Sequence, residues 1–149
     1  MIYTNRYEVK LYLQSYKHAK KEVDRLNSSL RELDADMCSL KATDYSKERV
    51  NGNTPQCILD AIIDEKDKTI KLLEEKTKYK HSLKMEIIEF INQLDNNYLD
   101  CDVLIDRYIN LLSIRDIGRK YTYSEEVVYN KMSLACKKLA ILSNKKYLK

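Results

Sequence analysis

Glycine and proline are almost missing from this sequence, with two and one respectively in 149 residues. With 44% apolar and 34% charged residues, that scarcity describes a strongly helical chain, and an all-α fold is expected. Tryptophan is absent and Phe90 is the only phenylalanine, yet there are twelve tyrosines, so aromatic packing falls to rings that keep a polar tip near water. No apolar run approaches the ~20 residues needed to cross a bilayer, and the opening stretch MIYTNRYEVK lacks the apolar centre of a signal peptide. A cytoplasmic protein without membrane partners is expected.

Chemistry-bearing residues are equally sparse. Cys38, Cys57, Cys101 and Cys136 form no close pair, and His18 and His81 lie near none of them. A zinc site wants ligands two to four residues apart, and a catalytic thiol wants a nearby base. Neither pattern is present, nor is a glycine-rich phosphate loop. The expectation is no catalytic residue, no metal, no cofactor and no enzymatic activity, with the cysteines acting as small hydrophobes.

What is present is charge, unevenly placed. The net charge is +4. From Cys101 onward there are ten Lys and Arg against five Asp and Glu, so the excess of positive charge lies in the last third. A basic module beside a neutral one points to a polyanion, most often nucleic acid.

The neutral part carries a heptad pattern. Val9, Tyr12, Tyr16, Ala19, Val23, Leu26, Leu30, Leu33, Met37 and Leu40 are separated alternately by three and four residues, the seam of a coiled coil. A helix of that length, roughly 48 Å, cannot bury its own stripe and needs a partner. Asn51, Gly52 and Asn53 mark a turn, Thr54 and Pro55 a cap and first-turn proline. A second helix follows through Ile58, Ile62, Ile70, Leu73, Leu83, Ile87, Ile91 and Leu94. Residues 1–97 are therefore expected to form a long coiled-coil helical hairpin for oligomerisation, with Val23, Leu26, Leu30, Leu33 and Met37 in its seam. Whether the helices pair within one chain or between two is left open by the pattern.

Residues 98–149 read as three shorter helices. The first carries Val103, Leu104, Tyr108 and Leu111 on its apolar face; the second, capped by Ser113, turns Ile114, Ile117 and Tyr121 inward. Ser124 caps the third, Glu125 and Glu126 occupy its first turn, and Val128, Leu134, Ala135, Leu139 and Leu142 form its stripe. Two helices joined by a short turn, the second long and basic toward its end, make a helix-turn-helix. In that motif Gly118 has a reason: a mid-helix glycine costs about 1 kcal/mol and is tolerated where a second helix comes close across a tight turn. Ile117, Gly118 and Val128 are its expected core.

The stretch LIDRYINLLSIRDIGRKYTYSEEVVYNKMSLACKKL resembles the C-terminal region of sigma-70-type factors, which reads the −35 promoter element. The likeness lies in the RYI helix, the Ile117–Gly118 pair, the Ser124 to Val128 spacing and the run Ala135 to Leu139. More loosely, the layout from Cys57 onward is similar to small phage transcriptional regulators of the ArpU and RinA type. The resemblance implies a phage or prophage regulator in a bacterial host cytoplasm that binds double-stranded DNA as a homo-oligomer, a dimer first, with a contact to host RNA polymerase. It also implies that the third helix enters the major groove, with Ser124, Glu125, Glu126, Tyr129 and Asn130 facing bases and Arg115, Arg119, Lys120, Lys131, Lys137 and Lys138 on phosphates. Two departures stand out. Thr122 occupies the turn position where that family usually has glycine, although a β-branched residue disfavours left-handed backbone. The pair Glu125–Glu126 is acidic where relatives are basic or neutral. Two other classes compete: a small terminase subunit that recognises DNA for packaging, in which the module order is usually reversed, and a protein-interaction adaptor derived from a helix-turn-helix.

Overall fold

Asn5 starts the first helix by accepting hydrogen bonds at its Oδ1 from the backbone N–H groups of Tyr7 (2.9 Å) and Glu8 (3.1 Å). Glu8 returns the favour through the N–H and hydroxyl of Thr4, at 2.6 and 2.9 Å, a reciprocal cap. A computed structural model describes residues 3–42, 55–94 and 98–147. It is all-α, with no strand among the described residues: α1 is Arg6–Ala42, α2 Pro55–Ile91, α3 Tyr98–Tyr108, α4 Ile114–Tyr121 and α5 Glu125–Tyr147. The expected turn at Asn51 to Asn53 and the cap at Thr54 lie outside the described residues; α2 does begin at Pro55.

Packing divides the chain into two compact units, Lys20–Tyr79 and a second made of Met1–Ala19 with Lys80–Lys149. The expected division fell between residues 97 and 98; in packing, the limits fall inside α1 and α2 instead.

In the unit Lys20–Tyr79 the two long helices run antiparallel, tied by Lys66 to Asp34 at 2.5 Å and by Lys76 to Glu22 at 3.2 Å. On α1 the covered positions are the expected ones: Val23 is buried, and Leu26, Leu30, Leu33, Met37 and Leu40 are half-buried. On α2 the covered heptad is Leu59, Ile62, Lys66, Thr69, Leu73 and Lys76, while Ile58, expected in the stripe, is exposed. Ile62 and Leu73 are the expected members and the expected Ile70 is half-buried beside them, whereas Lys66, Thr69 and Lys76 are polar and carry no periodic apolar signal. The lysines lay their methylene stems over the seam and carry their ammonium groups out to carboxylates. Thr69 is buried, and its hydroxyl donates to the Glu65 carbonyl at 2.8 Å.

The other unit has a single apolar core drawn from all five helices. Val9 and Leu13 of α1, Ile87 and Ile91 of α2, Leu104 of α3, Ile117 of α4 and Val128 and Leu139 of α5 are fully buried in it. The rings of Tyr3 and Tyr12 stack with centroids 5.2 Å apart, and Phe90 meets both edge-on at 5.4 Å. Two hydrogen bonds join the start of the chain to α5: the Tyr3 N–H donates to Ser143 Oγ at 3.2 Å, and the Arg6 guanidinium to Ser133 Oγ at 2.8 Å. Leu134, expected inward, is exposed, and Met132, Cys136 and Ala140 fill the buried face of α5 with Val128, Ala135 and Leu139.

The turn between α4 and α5 explains Gly118. Ser113 caps α4 by accepting from the Asp116 N–H at 3.1 Å. At the other end the chain reverses through Thr122, at φ 61 and ψ 41, and the N–H groups of Thr122 and Tyr123 both close onto the Gly118 carbonyl. The Tyr123 bond is the 6→1 bond of a Schellman ending and the Thr122 bond the 5→1 bond of a left-handed cap, with a threonine in the position that glycine or asparagine usually takes. The returning backbone passes so close that a β-carbon on Gly118 would stand 2.7 Å from the Tyr123 carbonyl oxygen and 3.9 Å from Val128 Cγ2.

Opposite effects follow at these neighbouring positions. Gly118→Ala is expected to destabilise the chain by about 1–2 kcal/mol, because the clash with backbone outweighs alanine's helix preference. Thr122→Asn is expected to stabilise it by about 0.5–1 kcal/mol by relieving the left-handed strain. Urea unfolding followed by circular dichroism measures both.

Candidate functional site

At the centre of the basic module sits a buried acid. Asp106 on α3 is 3% exposed. Its carboxylate accepts from Asn110 Nδ2 at 2.9 Å, from Lys120 Nζ at 2.9 Å and from the Tyr121 hydroxyl at 2.6 Å. One side chain thereby fixes α3 to the last turn of α4. Burial raises the Asp106 carboxyl, but the hydrogen bonds from Tyr121, Lys120 and Asn110 outweigh it and hold the group below its ordinary value. The partners respond in the opposite sense: Lys120 is raised by its bond to Asp106, and Tyr121 by burial and then by the same bond. Nothing in the sequence reading singled out Asp106. The available signal was its spacing, three residues after Val103 on the buried face of α3.

With α4 held in this way, α5 presents its first turns to solvent. Ser124 caps the helix by accepting from the Val127 N–H at 3.3 Å. Ser124, Glu125, Glu126, Tyr129 and Asn130 are all exposed, whereas Ile117, Gly118 and Val128 are buried beneath them. Among the cations expected on phosphates, Arg115, Arg119 and Lys137 are exposed. Three others have intramolecular partners: Lys120 on Asp106, Lys131 with its ammonium 5.2 Å from the Tyr123 ring, and Lys138 at 3.7 Å from Asp100. Lys120 remains half-exposed despite its ion pair.

The face of α5 carrying Tyr129, Asn130 and Ser133 also forms one wall of a cleft of about 500 Å³. Its other walls come from the first turns of α1 (Arg6, Tyr7, Lys10, Gln14, Lys17) and from the end of α3 at Arg107. The four cations of that set were not anticipated, since three of them lie in a segment read as neutral coiled coil. The chain leaves α3 through Leu111 at φ 57, with the Leu112 N–H bonded to the Asp106 carbonyl at 2.9 Å. The Arg107 guanidinium donates to the Leu112 carbonyl at 3.0 Å, which holds it at this corner. Among the described residues no group of three potential metal ligands comes together, and no helix is long and apolar enough to cross a membrane. Cys101 and Cys136 are buried; Cys38 and Cys57 are exposed thiols.

The Asp106 cluster makes stability depend on acid. Its folded pKa lies below the unfolded one, so its contribution is full above the unfolded value and is lost as pH falls through the folded one. Stability against urea is expected to fall as pH drops below about 5 and to go on falling below the ordinary carboxylate value, and Asp106→Asn should flatten that slope. At neutral pH the same substitution is expected to cost about 2 kcal/mol, since it removes the charge from three hydrogen bonds.

No family model matches the chain, and neither a curated protein nor a solved structure matches it.

Proposed function

We propose that this chain is a DNA-binding transcriptional regulator of phage or prophage type, reading duplex DNA with α5 as the recognition helix of a helix-turn-helix formed with α4. The observation that carries the reading is the turn: Gly118 lies under the Tyr123 carbonyl, Val128 packs beside it, and Ser124 caps a helix that exposes Glu125, Glu126, Tyr129 and Asn130. A helix presented by such a turn offers its N-terminal side chains to base edges, where asparagine pairs with adenine and glutamate accepts from cytosine. Arg115, Arg119 and Lys137, exposed on α4 and α5, are the cations for phosphates.

One module of this size has few base contacts, and a second half-site multiplies its affinity. The α1 seam from Leu26 to Met37 leaves part of each side chain exposed in its own unit, apolar surface to which a second copy adds. Oligomerisation through these helices, as a dimer, completes the reading, with host RNA polymerase as a further partner.

The test is selection of duplexes from a random library, then fluorescence anisotropy at two salt concentrations. A selected sequence should bind more tightly than its scrambled duplex, weaken with salt, and lose about ten-fold or more in affinity with Tyr129→Ala plus Asn130→Ala. Equal affinity for selected and scrambled duplexes, unchanged by the double variant, would overturn specific reading. No binding at either salt would turn the reading to a protein-interaction adaptor.

A further inference from the structure

The cleft between the start of α1 and the side of α5 lies within one compact unit and has an unusual charge balance. Arg6, Lys10, Lys17 and Arg107 line it, and no aspartate or glutamate does. Two of these cations, Arg6 and Lys10, act on one ring. The Arg6 guanidinium donates to the Tyr7 hydroxyl at 3.1 Å as well as to Ser133, and Arg6, Lys10 and Lys137 together hold the Tyr7 phenol below its ordinary pKa. The deeper lining supplies no balancing negative charge: burial pushes Tyr108 up to about 12 and the Cys136 thiol up to about 11, so both stay neutral.

Beside the charge stand flat, accessible rings. Tyr7 is 62% exposed and Tyr129 58%. Gln14, Asn130 and Ser133 add donors and acceptors, and Ile114 and Met132 an apolar patch. A volume of about 500 Å³ lies in the range of clefts that hold a small organic molecule and is larger than an inorganic anion needs. Concave shape, uncompensated positive charge and exposed rings together specify a ligand with several negative charges on one end and a planar group on the other.

We infer that this cleft binds a free nucleoside di- or triphosphate, with its phosphates on Arg6, Lys10, Lys17 and Arg107 and its base against the tyrosine rings. Tyr129 and Asn130 belong both to the cleft and to the face proposed for DNA, so an occupied cleft competes with a duplex for them. The ligand site itself does not depend on the DNA reading.

Isothermal titration of the full chain without DNA tests the inference, using ATP, GTP, adenosine and inorganic phosphate as separate probes. ATP or GTP is expected to bind with a Kd below about 1 mM, and adenosine and phosphate each about ten-fold or more weaker. Lys10→Glu with Lys17→Glu, both exposed positions, should weaken binding about ten-fold or more at unchanged thermal stability. Lys71→Glu with Lys78→Glu, an equal charge change on exposed α2 positions outside the cleft, should leave it within about two-fold. Three results would overturn the inference: no binding of either triphosphate at about 1 mM, equal weakening by the two double variants, or phosphate alone binding as well as ATP. Because no DNA is present, failure here leaves the duplex reading standing, and failure of that reading leaves the cleft standing.

Discussion

The approach of the Tyr123 carbonyl to Gly118 sets how α4 meets α5, and with it which side of α5 faces out. A side chain at position 118 would push the turn away, Val128 would leave its place against the glycine, and the exposed set from Ser124 to Asn130 would rotate with it. The backbone accepts a threonine at a left-handed φ of 61 to keep this contact. Strain of that kind persists only where the surrounding packing over-determines it. Here Val128 and Ile117, both without solvent exposure, supply that packing.

Asp106 anchors the same arrangement from the other side. In a region with an excess of positive charge, one buried carboxylate gathers an ammonium, a phenol and an amide. The three donors outweigh the cost of taking the charge out of water, as the direction of the Asp106 shift attests. Lys120 is thereby committed to the fold while half of it stays in solvent, so one residue belongs to both the interior and the surface.

Much of this was legible from residue types alone, and what was not has physical causes. The α1 seam could be read because every member is apolar or a tyrosine. Its partner on α2 could be read only in part, at Ile62 and Leu73, because Lys66, Thr69 and Lys76 occupy seam positions where stems and a hydroxyl do the packing. Gly118 and Val128 stood out by rarity and spacing. Two of the three donors to Asp106 lie fourteen and fifteen residues further on, past a corner no local pattern encodes. The basic cleft was further out of reach: its walls meet through contacts such as Arg6 to Ser133, 127 positions away, and through a core shared by α1 and α5.

That last closure bears on how the molecule assembles. Tyr3 bonds to Ser143 across 140 positions, and the core that Val9 and Leu13 enter also contains Leu139. During synthesis α1 is made first, yet the docking site of its opening turns is incomplete until α5 has been made. Until then Val9, Leu13 and Tyr16 are an incompletely covered stripe, the kind of surface that chaperones hold and that aggregates when crowded. The antiparallel stretch from Lys20 to Tyr79 needs only its own two helices and can zip early, with Glu22–Lys76 and Asp34–Lys66 fixing its register. Local pairing first and closure by the distant ends last is the order that loop entropy favours.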